Sequence, residues 1–277
     1  MPGKDGRALV NPGVRIINMN EQAELLITQI WFRTIEKFSD IFSFRSYTLN
    51  ALPYIKNQVD NDTIKFVRSL AHDMEHEKFF INKEEFFKIV GGIDGLASMS
   101  SQKQIETYRK VIDSSSIILA HSAIDAAVFD YFRVIELVAP IQDFEQYLLK
   151  KQIALEDLKG LNYQEIFKQK IHKFIAELER RSLLEKIDKL FQICKPLPQF
   201  SPINDYLYNR EKLEALDELR HEIVHGNGLK SILPSCDEDI IYMRNTANFL
   251  MALVIKKYDV KINLTVWRES IQKNGKI

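Results

Sequence analysis

Two side chains near the end of a predicted helix, Arg220 and His225, are the best suited to chemistry in this chain. An arginine guanidinium can hold a phosphate through two parallel hydrogen bonds, and a histidine can give or take a proton near neutral pH. Together they could cut a phosphodiester that carries its own nucleophile, such as RNA with its 2′-hydroxyl group. That chemistry does not require a metal ion. We therefore treat segment 216–228 as the candidate active site.

The geometry of the predicted helix limits how these two side chains can meet. Its buried face is marked by apolar residues at helical spacing: Leu213, Leu216, Leu219 and Ile223. Arg220 lies at the edge of this stripe and His225 about 140° further round, so they are not neighbours as residues four apart would be. They can converge if the helix ends near His225, or if a second copy of the helix brings its own pair across a cleft. Gly226 and Gly228 are typical stop signals and favour a helix end there.

Three more polar residues accompany the pair. Asp217 lies between Arg220 and His225 in angle and three residues before Arg220, so it could orient the guanidinium. His221 directly follows Arg220 and could share the proton transfer or hold phosphate. Asn227, in the glycine turn, is a supporting candidate. A purely structural interpretation stands beside this one, because cations near a helix C-terminus offset the unsatisfied carbonyl groups there.

The motif resembles the signature of the HEPN family, in which an Arg is followed after four to six residues by a His, often with a polar residue directly after the Arg. Here it reads Arg220-His221-Glu222-Ile223-Val224-His225, and the resemblance covers roughly residues 102–263. His221 stands where the family commonly has Asn or another polar residue. The resemblance implies an all-α domain that dimerises and often acts as a metal-independent endoribonuclease, in some members with a defence or toxin role.

The resemblance also implies how such a site would work. His225 would act on the 2′-hydroxyl or on the leaving 5′-oxygen, and Arg220 would stabilise the charge of the transition state. The expected partners are RNA and a second copy of the chain related by two-fold symmetry, which would bring two motifs to one cleft. A regulatory protein is a further expected partner, and no cofactor is expected.

Two other function classes compete with RNA cleavage, so enzyme status is itself open. The first is a non-catalytic HEPN-like module that dimerises or binds a partner. The second is a metal-dependent enzyme that uses His72 and His76, which lie four residues apart on a predicted helix and match the spacing of paired metal ligands. Glu36 and Glu85 are the acidic candidates to complete such a site. The simpler interpretation of the His72/His76 pair is a polar helix surface.

His121 and Asp125 form another pair four residues apart, on and beside the apolar stripe of the longest predicted helix. We favour a core or interface histidine hydrogen-bonded by its own aspartate. In a HEPN-like arrangement this helix could pass near the motif, which would give His121 a supporting role.

Composition sets the remaining bounds. The 277 residues are 45% hydrophobic and 27% charged, as in a globular protein, and 38 basic residues balance 38 acidic ones. The chain therefore lacks the overall positive charge of a protein that coats nucleic acid. Cys194 and Cys236 have no metal-ligand spacing and are predicted to be reduced structural residues. The start of the chain has no signal-peptide pattern and no apolar run approaches 18 residues, so we expect a cytoplasmic protein without a membrane span.

The hydrophobic periodicity predicts an all-α fold with two parts. We expect a flexible arm at 1–20, a helical N-terminal domain of unknown role at 21–98, a HEPN-like helical domain at 102–265 and a tail at 266–277. The Gly- and Ser-rich segment 91–101 is the predicted boundary, and the region around Asn50 to Pro53 is a predicted break. Segment 260–266 alternates like a strand and is predicted as an extended tail or an edge pairing. The predicted helices are 21–44, 61–80, 84–90, 102–139, one or two within 162–193, 209–225 and 240–258.

Overall fold

The computed structural model describes residues 18–76, 92–144, 147, 162–195, 208–226, 232–265 and 268. The predicted all-α fold is confirmed, because these residues contain helices and no β-strand. The HEPN-like character of the bundle stays a prediction. The elements are α1 Met19–His76, α2 Gly92–Val138, a 3-10 helix Ile141–Phe144, α3 Tyr163–Leu178, α4 Leu183–Cys194, α5 Arg210–Val224 and α6 Cys236–Tyr258.

The first two helices are longer than the sequence predicts. Helix α1 runs through Pro53, so the predicted break at 50–53 is wrong. Helix α2 begins at Gly92, so residues 92–101 are helical and the start predicted at Gln102 is ten residues late. Packing overrides the weak helix propensity of the glycines and serines here, since Ser101 is fully buried and hydrogen-bonds to Asp60 of α1. The predicted helix 84–90 and segments 1–17 and 269–277 lie outside the described residues.

Helices α1 and α2 form an antiparallel pair. Arg33 near the start of α1 contacts Asp130 near the end of α2 at 3.2 Å, whereas Arg45, further along α1, contacts Asp113, earlier in α2, at 3.0 Å. The second pair is almost fully buried, and the same Asp113 carboxylate accepts a hydrogen bond of 3.1 Å from the backbone N–H of Leu233. These contacts fix the register of the two helices and hold the approach to α6 against them.

Helix α2 is the centre of the bundle, because each of the other five α-helices packs against it. One core joins apolar side chains from α1 to α6, and its α2 members include Ile124 and Tyr131, both fully buried. The Tyr131 hydroxyl donates a 2.9 Å hydrogen bond to the backbone oxygen of Ala247 in α6. Ile27 and Phe38, from the predicted N-terminal domain, belong to this same core. The division into two independently folding parts stays a prediction.

The chain after α6 returns to α1 without forming a strand. Val260 is buried, and the backbone N–H of Asn263 donates a 2.9 Å hydrogen bond to the hydroxyl of Thr28. The edge pairing considered for 260–266 is therefore wrong for the residues described, which are irregular up to Asn263 and helical at Leu264 and Thr265. Docking on α1 satisfies the Asn263 backbone N–H that a neighbouring strand would have satisfied.

The segment Ser101–Val138 of α2 is long and apolar enough to cross a membrane by length and composition alone. It stands alone in this respect among the described residues, and more than half of its most apolar window is buried inside the protein. The core helix of a soluble protein meets the same criterion, so the expected absence of a membrane span stays a prediction.

Candidate active site

Helix α5 carries the predicted motif and is fixed at its start by α6. The side-chain oxygen of Asn209 caps the helix by accepting from the backbone N–H of Lys212 at 3.0 Å. The backbone of Asn209 is in turn held by the hydroxyl of Tyr242, which accepts from its N–H at 2.9 Å and donates to its carbonyl at 2.6 Å. Lys212 also pairs with Asp239 of α6 at 3.1 Å. These contacts place the first turn of α5.

The rest of α5 packs against α2 and α4 through its apolar stripe. Leu213 and Leu216 are buried, and Leu219 and Ile223 pack on the core from partly buried positions, as predicted. Helix α2 packs against α5, α6 meets α5 near the start of that helix, and α4 provides the second packing surface.

Helix α5 ends where the glycines predict. Its last helical residue is Val224, and His225 is the cap residue, whose backbone N–H donates to the carbonyl of His221 at 3.0 Å. Gly226 follows with a φ of +88°, a left-handed conformation that glycine adopts without steric cost. The chain therefore turns away directly after His225, which leaves this imidazole at the exposed end of the helix. Asn227 and Gly228 lie outside the described residues, so the supporting role of Asn227 stays a prediction.

The two motif histidines contact each other. His221 and His225 are both exposed, four residues apart, and their ring centroids are 4.1 Å apart. Arg220 points away from them by about 100° or more around the helix. In the described part of the chain, no hydrogen bond or ion pair joins Arg220 to either imidazole. As predicted, Arg220 and His225 are not side-by-side neighbours on one helix. The neighbour of His225 is His221.

Arg220 is half-buried, and the hydrogen-bonding capacity of its side chain is not used up. Its Nε atom is buried and has no hydrogen-bond partner among the described residues. A buried polar group without a partner is uncommon, because burial removes its water and gives nothing in return. The Nε atom is therefore unsatisfied among the described residues, and the predicted contact of Asp217 with Arg220 is not what the structure shows.

Asp217 instead contacts His121 of α2. The His121 Nε2 atom lies 2.7 Å from the Asp217 Oδ1 atom, although the ring N–H is not aligned for a linear hydrogen bond. His121 is 6% exposed. Burial lowers the pKa of this imidazole and the charge of Arg220 acts in the same direction, while Asp217 and Asp125 oppose the shift. Our expectation that Asp125 is the partner of His121 is therefore wrong, whereas the expected approach of α2 to the motif is confirmed.

Asp125 is held by a residue that the sequence analysis missed. The Lys186 ammonium of α4 lies 2.8 Å and 2.9 Å from the two carboxylate oxygens of Asp125, and Lys186 is 2% exposed. The signal was present in the spacing, because Lys186 falls on the apolar stripe of α4 formed by Leu183, Leu190 and Ile193. A lysine on such a stripe has to be paired when it is buried.

The remaining candidates add no chemistry among the described residues. No group of three His, Cys, Asp or Glu side chains there could hold a metal ion. His72 and His76 lie in α1, but their side chains and Glu85 are outside the described set, and Glu36 is exposed on α1. Cys194 and Cys236 are free and buried, as predicted for structural cysteines, and burial raises the pKa of each thiol to about 12. Neither is an activated nucleophile.

Fold and site thus define an all-α protein with an exposed histidine pair at the end of α5, an arginine whose buried Nε has no described partner, and a partly buried cluster of His121, Asp217, Asp125 and Lys186. Comparison with family models, with curated proteins and with solved structures gave no match to this chain. The resemblance to the HEPN family therefore stays a prediction from the sequence motif.

Proposed function

We propose that this protein is a metal-independent endoribonuclease whose site is formed by Arg220, His221 and His225. The observation that carries the proposal is the pair of exposed imidazoles in contact at the end of α5, beside an arginine whose buried Nε has no partner among the described residues. Cleavage of RNA through its 2′-hydroxyl needs a base, an acid and a cationic group for the phosphate. These three side chains supply that set.

In the proposed reaction, one imidazole removes the proton of the 2′-hydroxyl, and the 2′-oxygen forms a bond to phosphorus. The bond from phosphorus to the 5′-oxygen breaks, and the other imidazole gives that oxygen a proton. The products are a 2′,3′-cyclic phosphate and a 5′-hydroxyl end. Arg220 stabilises the negative charge that builds up on the phosphoryl oxygens. We assign His225, at the very end of the helix, to the leaving group.

A second copy of the chain would complete the cleft. Arg220 and His225 lie on different sides of α5, so one helix presents them to a single phosphate poorly. Val224, between the two histidines in sequence, is 49% exposed and adds one apolar side chain to this surface. We propose a two-fold dimer in which the motif helices face each other and the arginine of one protomer serves the histidines of its partner.

The test is RNA cleavage in the presence of EDTA by the wild type and by Arg220→Ala, His221→Ala and His225→Ala. We expect cyclic phosphate ends from the wild type and a loss of about 100-fold or more for the Arg220 and His225 variants. Matched controls are His172→Ala and Arg181→Ala, which remove an exposed histidine and an exposed arginine outside the motif. Circular dichroism of every variant verifies folding.

Wild-type rates in Arg220→Ala or His225→Ala would refute the assignment. If the wild type cleaves no RNA but forms a dimer that the motif variants weaken, the non-catalytic binding module is favoured instead. Loss of activity in EDTA and its return with a metal ion would redirect attention to His72 and His76.

A further inference from the structure

Asp217 occupies a position from which it could neutralise Arg220. An aspartate three residues before an arginine on a helix faces the same side and can form an ion pair with it. The two residues have this spacing on α5. In the structure the Asp217 carboxylate lies against His121, and among the described residues no carboxylate lies within ion-pair distance of Arg220. The competition between His121 and Arg220 for one carboxylate therefore decides whether the guanidinium is free.

Burial explains why His121 wins this competition. The imidazole is almost fully enclosed, so water does not reach its Nε2 atom, and the Asp217 carboxylate at 2.7 Å is within reach to accept from that atom. The alternative pair between Arg220 and Asp217 is half-exposed, and pairs of that kind gain little because water and salt screen them. The Asp217 carboxylate therefore stabilises the protein more beside the buried imidazole of His121 than beside the half-exposed guanidinium of Arg220.

The other carboxylate near His121 is not available to replace Asp217. Asp125 lies one helical turn after His121 on α2, where it could serve as the partner of the imidazole. Lys186 of α4 holds both of its oxygens, at 2.8 Å and 2.9 Å, and is itself buried. Asp125 is therefore paired with Lys186, and Asp217 is the carboxylate that contacts His121. The described charged groups around the imidazole are Asp125 on α2, Lys186 on α4, and Asp217 and Arg220 on α5.

We propose that His121 is a positioning residue that holds the Asp217 carboxylate away from Arg220 and so keeps the guanidinium free to bind a phosphate of RNA. The identity of the ligand rests on the proposed function. The withholding of Asp217 rests on the contact between His121 and Asp217 and on the unpartnered Nε of Arg220. This role differs from that of an ordinary structural contact. If His121 only withholds Asp217 from Arg220, removing the Asp217 carboxylate should restore the RNA binding that is lost when His121 is removed.

The test uses three variants of the full chain. His121→Leu removes the N–H but fills the buried space, so Asp217 becomes free to pair with Arg220. His121→Gln keeps an N–H near the position of Nε2 and should preserve the arrangement. His121→Leu/Asp217→Asn removes the competing carboxylate as well. His172→Gln, an exposed histidine on α3, is the matched control. All are made with His225→Ala, so that RNA is bound but not cleaved.

Two readouts separate this inference from the proposed function. The first is the ¹⁵N–¹H signal of the Arg220 Nε–H group without RNA, assigned by its loss in Arg220→Ala. It should shift in His121→Leu and return toward the wild-type position in the double variant and in His121→Gln. The second is binding of a fluorescent single-stranded RNA in EDTA. We expect His121→Leu to bind about tenfold more weakly, as for one lost charge-assisted contact, and the double variant to recover most of that loss.

An Arg220 signal that is the same in His121→Leu as in the wild type would overturn the inference. So would a double variant that is as weak as His121→Leu, because that result marks His121 as a structural contact. If the signal behaves as expected but the wild type binds no RNA, the positioning role stands and the proposed function fails. If His121→Leu does not fold, His121→Asn replaces it, because its shorter side chain moves the N–H away from the Nε2 position. The Arg220 signal should then shift in His121→Asn but not in His121→Gln, and equal signals in the two variants would overturn the inference.

Discussion

At the scale of single residues, His121 shows how burial changes the role of a titratable side chain. Its neighbours on α2 predict a histidine paired with Asp125, yet the ring is enclosed and contacts Asp217 of α5. Burial favours the neutral imidazole, and it outweighs the attraction of the two nearby carboxylates in setting the pKa. His121 is therefore suited to positioning a neighbour, whereas the exposed His221 and His225 are accessible to a substrate.

This burial predicts a dependence of stability on pH. The pKa of His121 is lowered in the folded protein from 6.5, so the unfolded chain binds a proton more readily than the folded one. The stabilisation is fully present above about pH 6.5 and is lost as the pH falls below it toward the folded pKa. We expect the free energy of unfolding to fall between pH 7.5 and 5.5, and to fall less in His121→Gln. Urea unfolding at both pH values measures this, and equal losses in the two proteins would contradict it.

The pair of Lys186 and Asp125 predicts an asymmetric response to mutation. Asp125→Ala leaves the Lys186 ammonium buried without its partner, and we expect a loss of about 3–5 kcal/mol. Lys186→Met leaves a carboxylate that is about one-third exposed and can reach water, so we expect a smaller loss of about 1–3 kcal/mol. The double variant should be more stable than Asp125→Ala. Guanidinium unfolding of the three variants is the measurement, and equal losses in both single variants would show that the two charges are equally solvated.

At the scale of elements, the end of α5 determines where the histidines lie. The helix stops because Gly226 takes up a left-handed conformation with a φ of +88°. A Cβ atom at this glycine would meet nothing within 4 Å, so any cost of substitution comes from the backbone alone. The position of His225 thus depends on the conformation of one residue beyond the helix.

Substitution of Gly226 tests this dependence. We expect Gly226→Ala to lower the free energy of unfolding by about 1–2 kcal/mol, because an alanine resists the left-handed region. Gly226→Asn should cost less, since asparagine tolerates that region better. Thermal unfolding gives the ranking, and RNA cleavage should follow the same order. If alanine and asparagine were equally tolerated, the backbone at this position would not be strained.

At the scale of the whole molecule, one core joins the two parts that the sequence separates. Ile27 and Phe38 of α1 are as deeply buried as Ile124 and Tyr131 of α2 and pack in the same cluster. Burial of this shared apolar surface stabilises both α1 and the helices packed against it. The long pair of α1 and α2 is therefore part of the scaffold that carries the motif helix.

Phe38→Ala tests this shared core. We expect a loss of about 3–5 kcal/mol, as for a fully buried phenylalanine, and a single unfolding transition in which α1 and α6 lose protection together. Phe66→Ala is the matched control, because Phe66 lies on the same helix but is 67% exposed. Hydrogen exchange on amides of both helices gives the measurement. Separate transitions for 21–98 and 102–265 would favour two domains.

The sequence by itself determined the local features of this protein. Hydrophobic periodicity predicted the all-α class and the helices within 162–193, and the glycine after His225 predicted the end of α5. These features depend on residues within a turn or two of each other, so the sequence contains the information directly. The same reasoning failed at Pro53, which lies inside α1, and at the start of α2, where residues 92–101 are helical despite their glycines and serines.

The tertiary structure decided which charged side chains meet. His121 and Asp217 are 96 positions apart, and the Asp125 partner Lys186 is 61 positions away, so neither contact has a local signature in the chain. A pattern on one helix shows which face is buried but not what it is buried against. Only the packing of α2, α4 and α5 places Asp217 against His121 and leaves the Nε of Arg220 without a described partner. That packing removes water from the imidazole, so the Asp217 carboxylate becomes the polar group that faces the ring.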